Sequence, residues 1–295
     1  MRSFQYLAPI GRFDYVAPDS LEGLFQALEG HGKKAVIIAG GTDLMVALKE
    51  RTVAPDLVVD LGHLREELGG IAIEGGVLRI GALATFFQIE ADPLVRRYAN
   101  ALRQAAANVG TLQIRALATL GGNLATASPA ADSAPPLIAL KASANLMSRR
   151  GPRTVPVQSF FTGVKKSSLA PGEIVSSVDI PADERAVSLW ARAAARKENV
   201  LSTVSVAVAS TIRDGAFVTG RVALGAVAPT PILAEKASGA MAGSRATAQQ
   251  AEKIAALAVE DSRPISDIRA SAEYRKHLVL VLTRRLLLRM ISEGT

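Results

Sequence analysis

The sequence predicts an α+β protein in which a two-lobed region over 1–181 is followed, over 186–292, by an antiparallel sheet with packed helices. Three observations carry that reading. An apolar, strand-like run at 35–39 enters Gly40-Gly41 and then a helical stretch, marking a small first lobe over 1–60. At 71–74 and 77–80 two strand-like runs flank Gly75-Gly76, the pattern of a hairpin with a two-residue turn. From 188 to 227 three strand candidates follow one another, and helical stretches at 246–260 and 272–292 close the chain. Strands and helices segregated in this way belong to the α+β class.

Residues 1–17 read as extended, punctuated by Pro9 and Pro18. Asp19 with Glu22 has the spacing of a capping box, Leu21, Leu24, Phe25 and Leu28 follow at helical spacing, and Gly30 ends that helix. A strand at 57–60 closes the first lobe; the second covers 61–181. Thr85 and Gln88 repeat the capping-box spacing. Asp92-Pro93 starts a longer helix carrying Leu94, Val95, Tyr98, Ala101, Leu102 and Ala105. A loop is expected over 119–136. Strands follow at 142–147 and 154–157, then a short helix and stop at Phe160-Phe161-Thr162-Gly163, then a turn at Pro171-Gly172 into a strand over 173–180. The polar stretch 181–185 is the domain boundary. Beyond it, strands at 188–193, 200–213 and 216–227 are expected, with a turn at Asp214-Gly215 and an end to the sheet at Pro229-Thr230-Pro231. Leu278, Leu282, Leu286 and Met290 form an i, i+4 stripe read as core packing.

Composition narrows the function. A chain of 295 residues buries a sizeable core, and with only 4% aromatics that core is built from Ala, Val, Leu and Ile. The absence of cysteine excludes disulfides, thiolate zinc sites and Cys-ligated iron–sulfur clusters, so any cofactor chemistry is organic or sits on another chain. The three histidines share no ligand spacing, and no metal site is expected. Neither a leader segment nor a transmembrane segment is expected, because the N-terminus lacks an apolar run and Arg284, Arg285 and Arg289 interrupt the last one; a cytoplasmic location follows. The net charge of +7 does not point to nucleic acid: the Lys and Arg residues are dispersed and accompany no recognition motif. An anionic dinucleotide or an acidic partner accounts for it equally well.

Two glycine-rich stretches carry the chemistry. Ile37-Ile38-Ala39-Gly40-Gly41-Thr42-Asp43-Leu44 runs from a strand through a Gly-Gly turn into a helix start, with Thr42 or Asp43 as cap, an arrangement that presents backbone N–H groups to an anion. Thr119 to Pro136 is rich in Gly, Ala, Ser and Thr, and Asp132 is its only ionisable side chain. Gly121-Gly122 there allows φ > 0, which suits a backbone nest around a pyrophosphate.

These two stretches resemble the two FAD pyrophosphate motifs of the flavin subunits of molybdenum hydroxylases, the family that includes the carbon monoxide dehydrogenase medium subunit and the xanthine dehydrogenase flavin domain. The resemblance extends to Pro171-Gly172-Glu173-Ile174-Val175, Val178-Asp179-Ile180-Pro181, the stretch from Ala223 to Pro231, and Asp267 to Arg275. It implies a p-cresol methylhydroxylase-like (PCMH-type) FAD-binding domain and a C-terminal domain like that of the carbon monoxide dehydrogenase flavoprotein. It also implies that Ile37 to Leu44 line the FAD pyrophosphate, with Gly40 to Asp43 as backbone donors, and that Thr119, Leu120, Gly121, Gly122 and Asn123 clamp its other side. Asp132 would accept from a ribityl or ribose hydroxyl, with helix capping before Pro135-Pro136 as its alternative. Val109 and Val175 match apolar flavin contacts. Trp190 matches a neighbour of the isoalloxazine, with core packing as its alternative, and Arg192 a cation near the flavin.

The resemblance further implies a subunit that passes electrons from [2Fe–2S] clusters on a small partner to NAD⁺, a quinone or O₂. A large molybdopterin subunit would complete a dimer of heterotrimers. Flavin chemistry requires no catalytic triad, so none is assigned. The alternatives are a self-contained flavin oxidase of PCMH fold, which would want a substrate domain, and a basic binding protein, which would leave both glycine stretches without a purpose.

Overall fold

The computed structural model describes residues 10–31 and 34–293; the first nine residues of the expected extended segment lie outside them. In the first lobe, three parallel strands run Asp14–Val16, Leu57–Asp60, Ala35–Ile38 in spatial order, with the most buried one central. The helix Leu21–His31 buries Leu24, Phe25 and Leu28 against Leu57 and Val59. Its start differs from expectation. The Ser20 hydroxyl, not Asp19, accepts the Gly23 amide (3.3 Å), and no Glu22 half of a capping box forms. The helix also continues through Gly30 to His31.

The second lobe is a five-stranded antiparallel sheet in the order Ile71–Glu74, Val77–Gly81, Ile174–Pro181, Ser143–Ser148, Gly151–Pro156. Gly75 (φ 57°) and Gly76 (φ 81°) make the hairpin turn, both left-handed as a type I′ turn requires. Helices cover one face. The Thr85–Gln88 capping box is complete at the helix Phe86–Ala91. Asp92 caps the next helix by accepting from Leu94 and Val95, but that helix is not continuous. It breaks at Ala99 (φ −141°, ψ 46°) into Pro93–Tyr98 and Asn100–Ala106. Ala99 is fully buried, so the kink is held by packing and leaves no mark in the periodicity.

The expected loop over 119–136 is the largest departure. It contains the helix Leu120–Thr126, whose Leu120, Gly121 and Leu124 are buried, and its end opens the helix Ala134–Ala139, buried throughout. Small side chains here serve close packing rather than backbone freedom: a Cβ on Gly121 would stand 2.6 Å from the Ala82 Cβ.

In the C-terminal part, antiparallel strands Ala186–Ala193, Val204–Arg213, Arg221–Gly225 and Ile232–Leu233 lie in sequence order. Asp214 and Gly215 turn with positive φ as expected. The expected strand 216–227 divides into Ala216–Phe217 and Arg221–Gly225, and the sheet does not end at Pro231 but gains Ile232–Leu233. A helix Glu235–Met241 precedes Ala248–Asp261 and Ala272–Glu293; its small, polar sequence gave no apolar period to read. The stripe Leu282, Leu286, Met290 is buried in the C-terminal core, with Leu278 packed against it. Among the described residues no helix is long and apolar enough to cross a membrane.

The strand Ala186–Ala193 belongs to both cores. Trp190 packs with the second lobe, while Leu189 packs with the C-terminal helices. Arg275, 2% exposed, ties the C-terminal helix to this region by donating to the carbonyls of Thr203 (2.7 Å) and Ala226 (2.9 Å) and to Asp267 (2.7 Å).

Candidate cofactor site

The first glycine stretch leaves the sheet at Ile38 and enters the short helix Leu44–Lys49. Gly41 takes φ 70°, a conformation that favours glycine. Asp43 stands at the N-cap without a side-chain cap bond. Within the described chain, the amides of Gly40, Gly41, Thr42, Asp43 and Leu44 donate to nothing. Five consecutive unpaired N–H groups are a local demand for an acceptor, since backbone donors are nearly always satisfied. Ile37, Ile38 and Ala39 are partly buried beside them.

The second glycine stretch touches the first. A Cβ on Gly40 would stand 2.0 Å from the Leu117 carbonyl oxygen, so only glycine allows this approach. The Thr126 hydroxyl donates to Asp43 Oδ2 (3.3 Å), a second link between the two. The amides of the second stretch, however, are already used. Leu120 donates to Ala84 O (3.0 Å), Gly121 to Ala82 O (2.8 Å), and Asn123 to Thr119 O (3.0 Å). Gly122 donates to the Thr119 hydroxyl (3.2 Å), which caps the helix. Neither Gly121 nor Gly122 has positive φ; the left-handed glycine of the site is Gly41. The second stretch is therefore a packed wall rather than a nest. Asn123 receives the Ser133 hydroxyl on Oδ1 (2.6 Å), which leaves its Nδ2 as a donor.

Asp132 and Arg192, remote in sequence, form one buried ion pair at 2.9 Å. Ser202 donates to the other Asp132 oxygen (2.6 Å). Arg192 also donates to Lys197 O (3.0 Å) and Val200 O (3.4 Å), fastening the loop after its strand. Asp132 makes no helix cap: Ser133 is the N-cap of Ala134–Ala139, with no side-chain cap bond. Trp190 is buried, its amide donates to Gln104 Oε1 (2.7 Å), and its indole N–H has no partner. A cavity of about 390 Å³ opens beside Trp190, Arg192 and Asn108. Val109, next to Asn108, is half-buried against the second-lobe core, and Val175 is buried within it. Ser202, Gln104 and Leu117 were absent from the sequence reading. Each acts by a contact across 70 or more residues that no spacing signals.

Burial pushes the Asp132 carboxyl up to about 6, while the Ser202 hydroxyl and the Arg192 guanidinium pull it down. The folded value lies above the ordinary 3.8, so the folded state holds this proton more tightly than the unfolded chain does. The linked stability is complete below about pH 4 and is lost as pH rises to about 6. Asp132→Asn, which cannot ionise, should gain roughly 3 kcal/mol on the native protein between pH 4 and pH 7. Urea denaturation of both proteins at each pH measures this; parallel pH profiles would refute it.

The free amides of Gly40 to Leu44, the left-handed Gly41 and the side-chain donors of the facing wall suit a pyrophosphate. Residues 11–183 match the model of the FAD binding domain in molybdopterin dehydrogenase, and 191–290 match the CO dehydrogenase flavoprotein C-terminal domain. The chain belongs to the FAD-binding subunits of the molybdenum hydroxylase family. It is an oxidoreductase flavoprotein subunit, and its cofactor is FAD. This flavoprotein is 35% identical to the putative xanthine dehydrogenase FAD-binding subunit of Escherichia coli, over 86% of this chain and 88% of that one. It is 30% identical to the carbon monoxide dehydrogenase medium chain of Afipia carboxidovorans, over 93% and 95%. Its fold superposes on a chain of quinoline 2-oxidoreductase from Pseudomonas putida 86 with a TM-score of 0.91 and 32% identity, covering 97% and 99%.

Proposed function

We propose that this flavoprotein is an electron-transfer subunit that works between a small [2Fe–2S] subunit and a final acceptor, beside a large molybdopterin subunit, in a dimer of heterotrimers. The observation that carries the cofactor placement is the run of free amides from Gly40 to Leu44. Bound FAD supplies the electron exchange, from clusters on the partner to NAD⁺, a quinone or O₂. The chain's own residues bind and orient. Gly40 to Leu44 donate to the pyrophosphate, and hydrogen bonds to a charged group contribute roughly 1.5–3 kcal/mol each. Thr119 to Asn123 form the opposite wall, with Asn123 Nδ2 as its donor. The Asp132–Arg192 pair holds a carboxylate within reach of a sugar or ribityl hydroxyl and a cation beside the ring. Trp190, Val109 and Val175 supply apolar surface that excludes water.

Two features support a companion-dependent role. The chain has no cysteine to hold an iron–sulfur donor, and the relatives it matches over most of their length are named as a subunit and a medium chain. The purified chain should carry about one FAD, contain neither iron nor molybdenum, and oxidise no organic substrate until companions are added. Flavin absorbance, metal mass spectrometry and turnover assays check the three points. Substrate turnover by the metal-free chain at the rate of an intact enzyme would favour the self-contained oxidase instead.

A further inference from the structure

The carbonyl that seats Gly40 comes from an unusual element. Leu117 ends a six-residue helix, Leu112–Leu117, in which no side chain is buried. Leu112 and Leu117 are about half exposed, at 53% and 52%. A helix of this length is marginal by itself, and most helices are held by a buried face that this one lacks. Its own hydrogen bonds are local. Thr111 caps it, Arg115 N donates to Thr111 O (2.8 Å), and Ala118 N donates to Ile114 O (2.7 Å).

Both ends are fastened. At the start, Gly110 takes φ 52°, and a Cβ there would stand 2.6 Å from Ile114 Cγ2. Its carbonyl accepts from Asn199 N (3.2 Å). At the end, the Ala118 carbonyl accepts from Phe86 N (3.0 Å). Between these ends, one polar side-chain contact joins the helix to the rest of the chain among the described residues. Arg115 Nε stands 2.9 Å from Glu90 Oε2, on the helix Phe86–Ala91. The side chains are 12% and 32% exposed. Both contacting atoms are shut off from water, yet the N–H is not aligned on the oxygen and no hydrogen bond forms. An ion contact of this kind returns only part of the desolvation it costs, so it holds the helix without locking it.

We propose that Leu112–Leu117 is a hinged strap that holds the Gly40–Leu44 amides in place, that the Glu90–Arg115 contact is its latch, and that its opening controls how fast FAD enters and leaves. Gly110 is the hinge. When the strap lifts, the Leu117 carbonyl withdraws from Gly40 and the run of amides loses its backstop. Local opening of a segment with no buried contacts costs far less than global unfolding. The proposal rests on the placement of FAD at Gly40–Leu44.

The test follows FAD uptake and release by flavin fluorescence in the full chain and in Glu90→Gln, with a urea denaturation curve beside each. Release about tenfold faster is expected in Glu90→Gln, as for loss of one contact between charged groups. Uptake should quicken too, so that affinity falls less than release rises. Arg115→Lys, which keeps the charge, should lie between the two. A merely structural role would lower stability and affinity together and leave uptake unchanged.

The chain has no cysteine, so Glu90→Cys with Arg115→Cys creates two unique thiols. A short bismaleimide bridge between them should slow FAD release about tenfold or more in the loaded chain and slow uptake in the empty one. Unchanged rates after bridging, or uptake no faster in Glu90→Gln, would overturn the strap. Hydrogen exchange of the FAD-free chain separates this from the cofactor placement. Amides over 115–118 should exchange faster than those over 123–126, and faster still in Glu90→Gln; equal protection in the two segments would also overturn it. Fast exchange in a chain that takes up no FAD would leave the strap standing and sink the placement.

Discussion

Gly40→Ala should abolish stoichiometric FAD binding. The added Cβ would lie 2.0 Å from the Leu117 carbonyl oxygen and 2.6 Å from its carbon. The obstacle is backbone, not a side-chain end that could swing away, so the first glycine stretch must withdraw from the second. Overpacking of this kind costs about 1–3 kcal/mol of stability. The functional loss is larger. Displacing two amides from a pyrophosphate forfeits roughly 3–6 kcal/mol, a factor of about 10² to 10⁴ in affinity. Flavin content of the purified variant, with a denaturation curve beside it, measures both. Gly122→Ala is the contrast, because its Cβ meets only the Thr119 hydroxyl at 2.9 Å. If Gly40→Ala kept its full complement of FAD, the contact between the stretches would not be what arranges the amides.

Arg275→Met should be the most destabilising change in the C-terminal part. The side chain is 2% exposed and donates to two backbone carbonyls as well as to Asp267. Losing two buried bonds from a charged donor costs roughly 3–6 kcal/mol, and methionine restores volume but no donor. One of those carbonyls belongs to Thr203, whose neighbour Ser202 donates to Asp132. Flavin affinity should therefore fall together with stability, although Arg275 lies outside the candidate site. Chemical denaturation combined with an FAD titration checks this. Unchanged affinity in a destabilised variant would show that Ser202 keeps its position without the anchor.

What could be read in the sequence follows the range of the interaction. The strands Ala35–Ile38 and Leu57–Asp60, the hairpin turn at Gly75-Gly76 and the Thr85–Gln88 box are settled by neighbours, and their signals are local. The first glycine stretch was legible for the same reason, since strand, turn and helix start adjoin. The second is marked by its composition, but its form is not. A run of Gly, Ala, Ser and Thr looks alike whether the chain loops or packs as a helix at close quarters, and only the apposition of Ala82 to Gly121 decides between them. Asp132 and Arg192 each stand out in the sequence. That they form a single pair depends on a strand from beyond the domain boundary passing beside the second lobe, and no periodicity encodes that. Ala99 shows the same limit: it sits in an unbroken helical pattern, yet the helix breaks there.

The strand Ala186–Ala193 has a consequence for what counts as a part of this molecule. The two family models divide between residues 183 and 191. The strand does not respect that division. Its alternate side chains are shared out like the teeth of a zip, Trp190 to one body of packed residues and Leu189 to the other. A cut made where the modules meet would strip the second lobe of a large buried ring and leave Asp132 facing an empty seat. The boundary between the two matched stretches is thus a seam in sequence but a keel in the fold: this strand, with Val204–Arg213 and Arg221–Gly225 beside it, is a plank to which both halves of the hull are fastened.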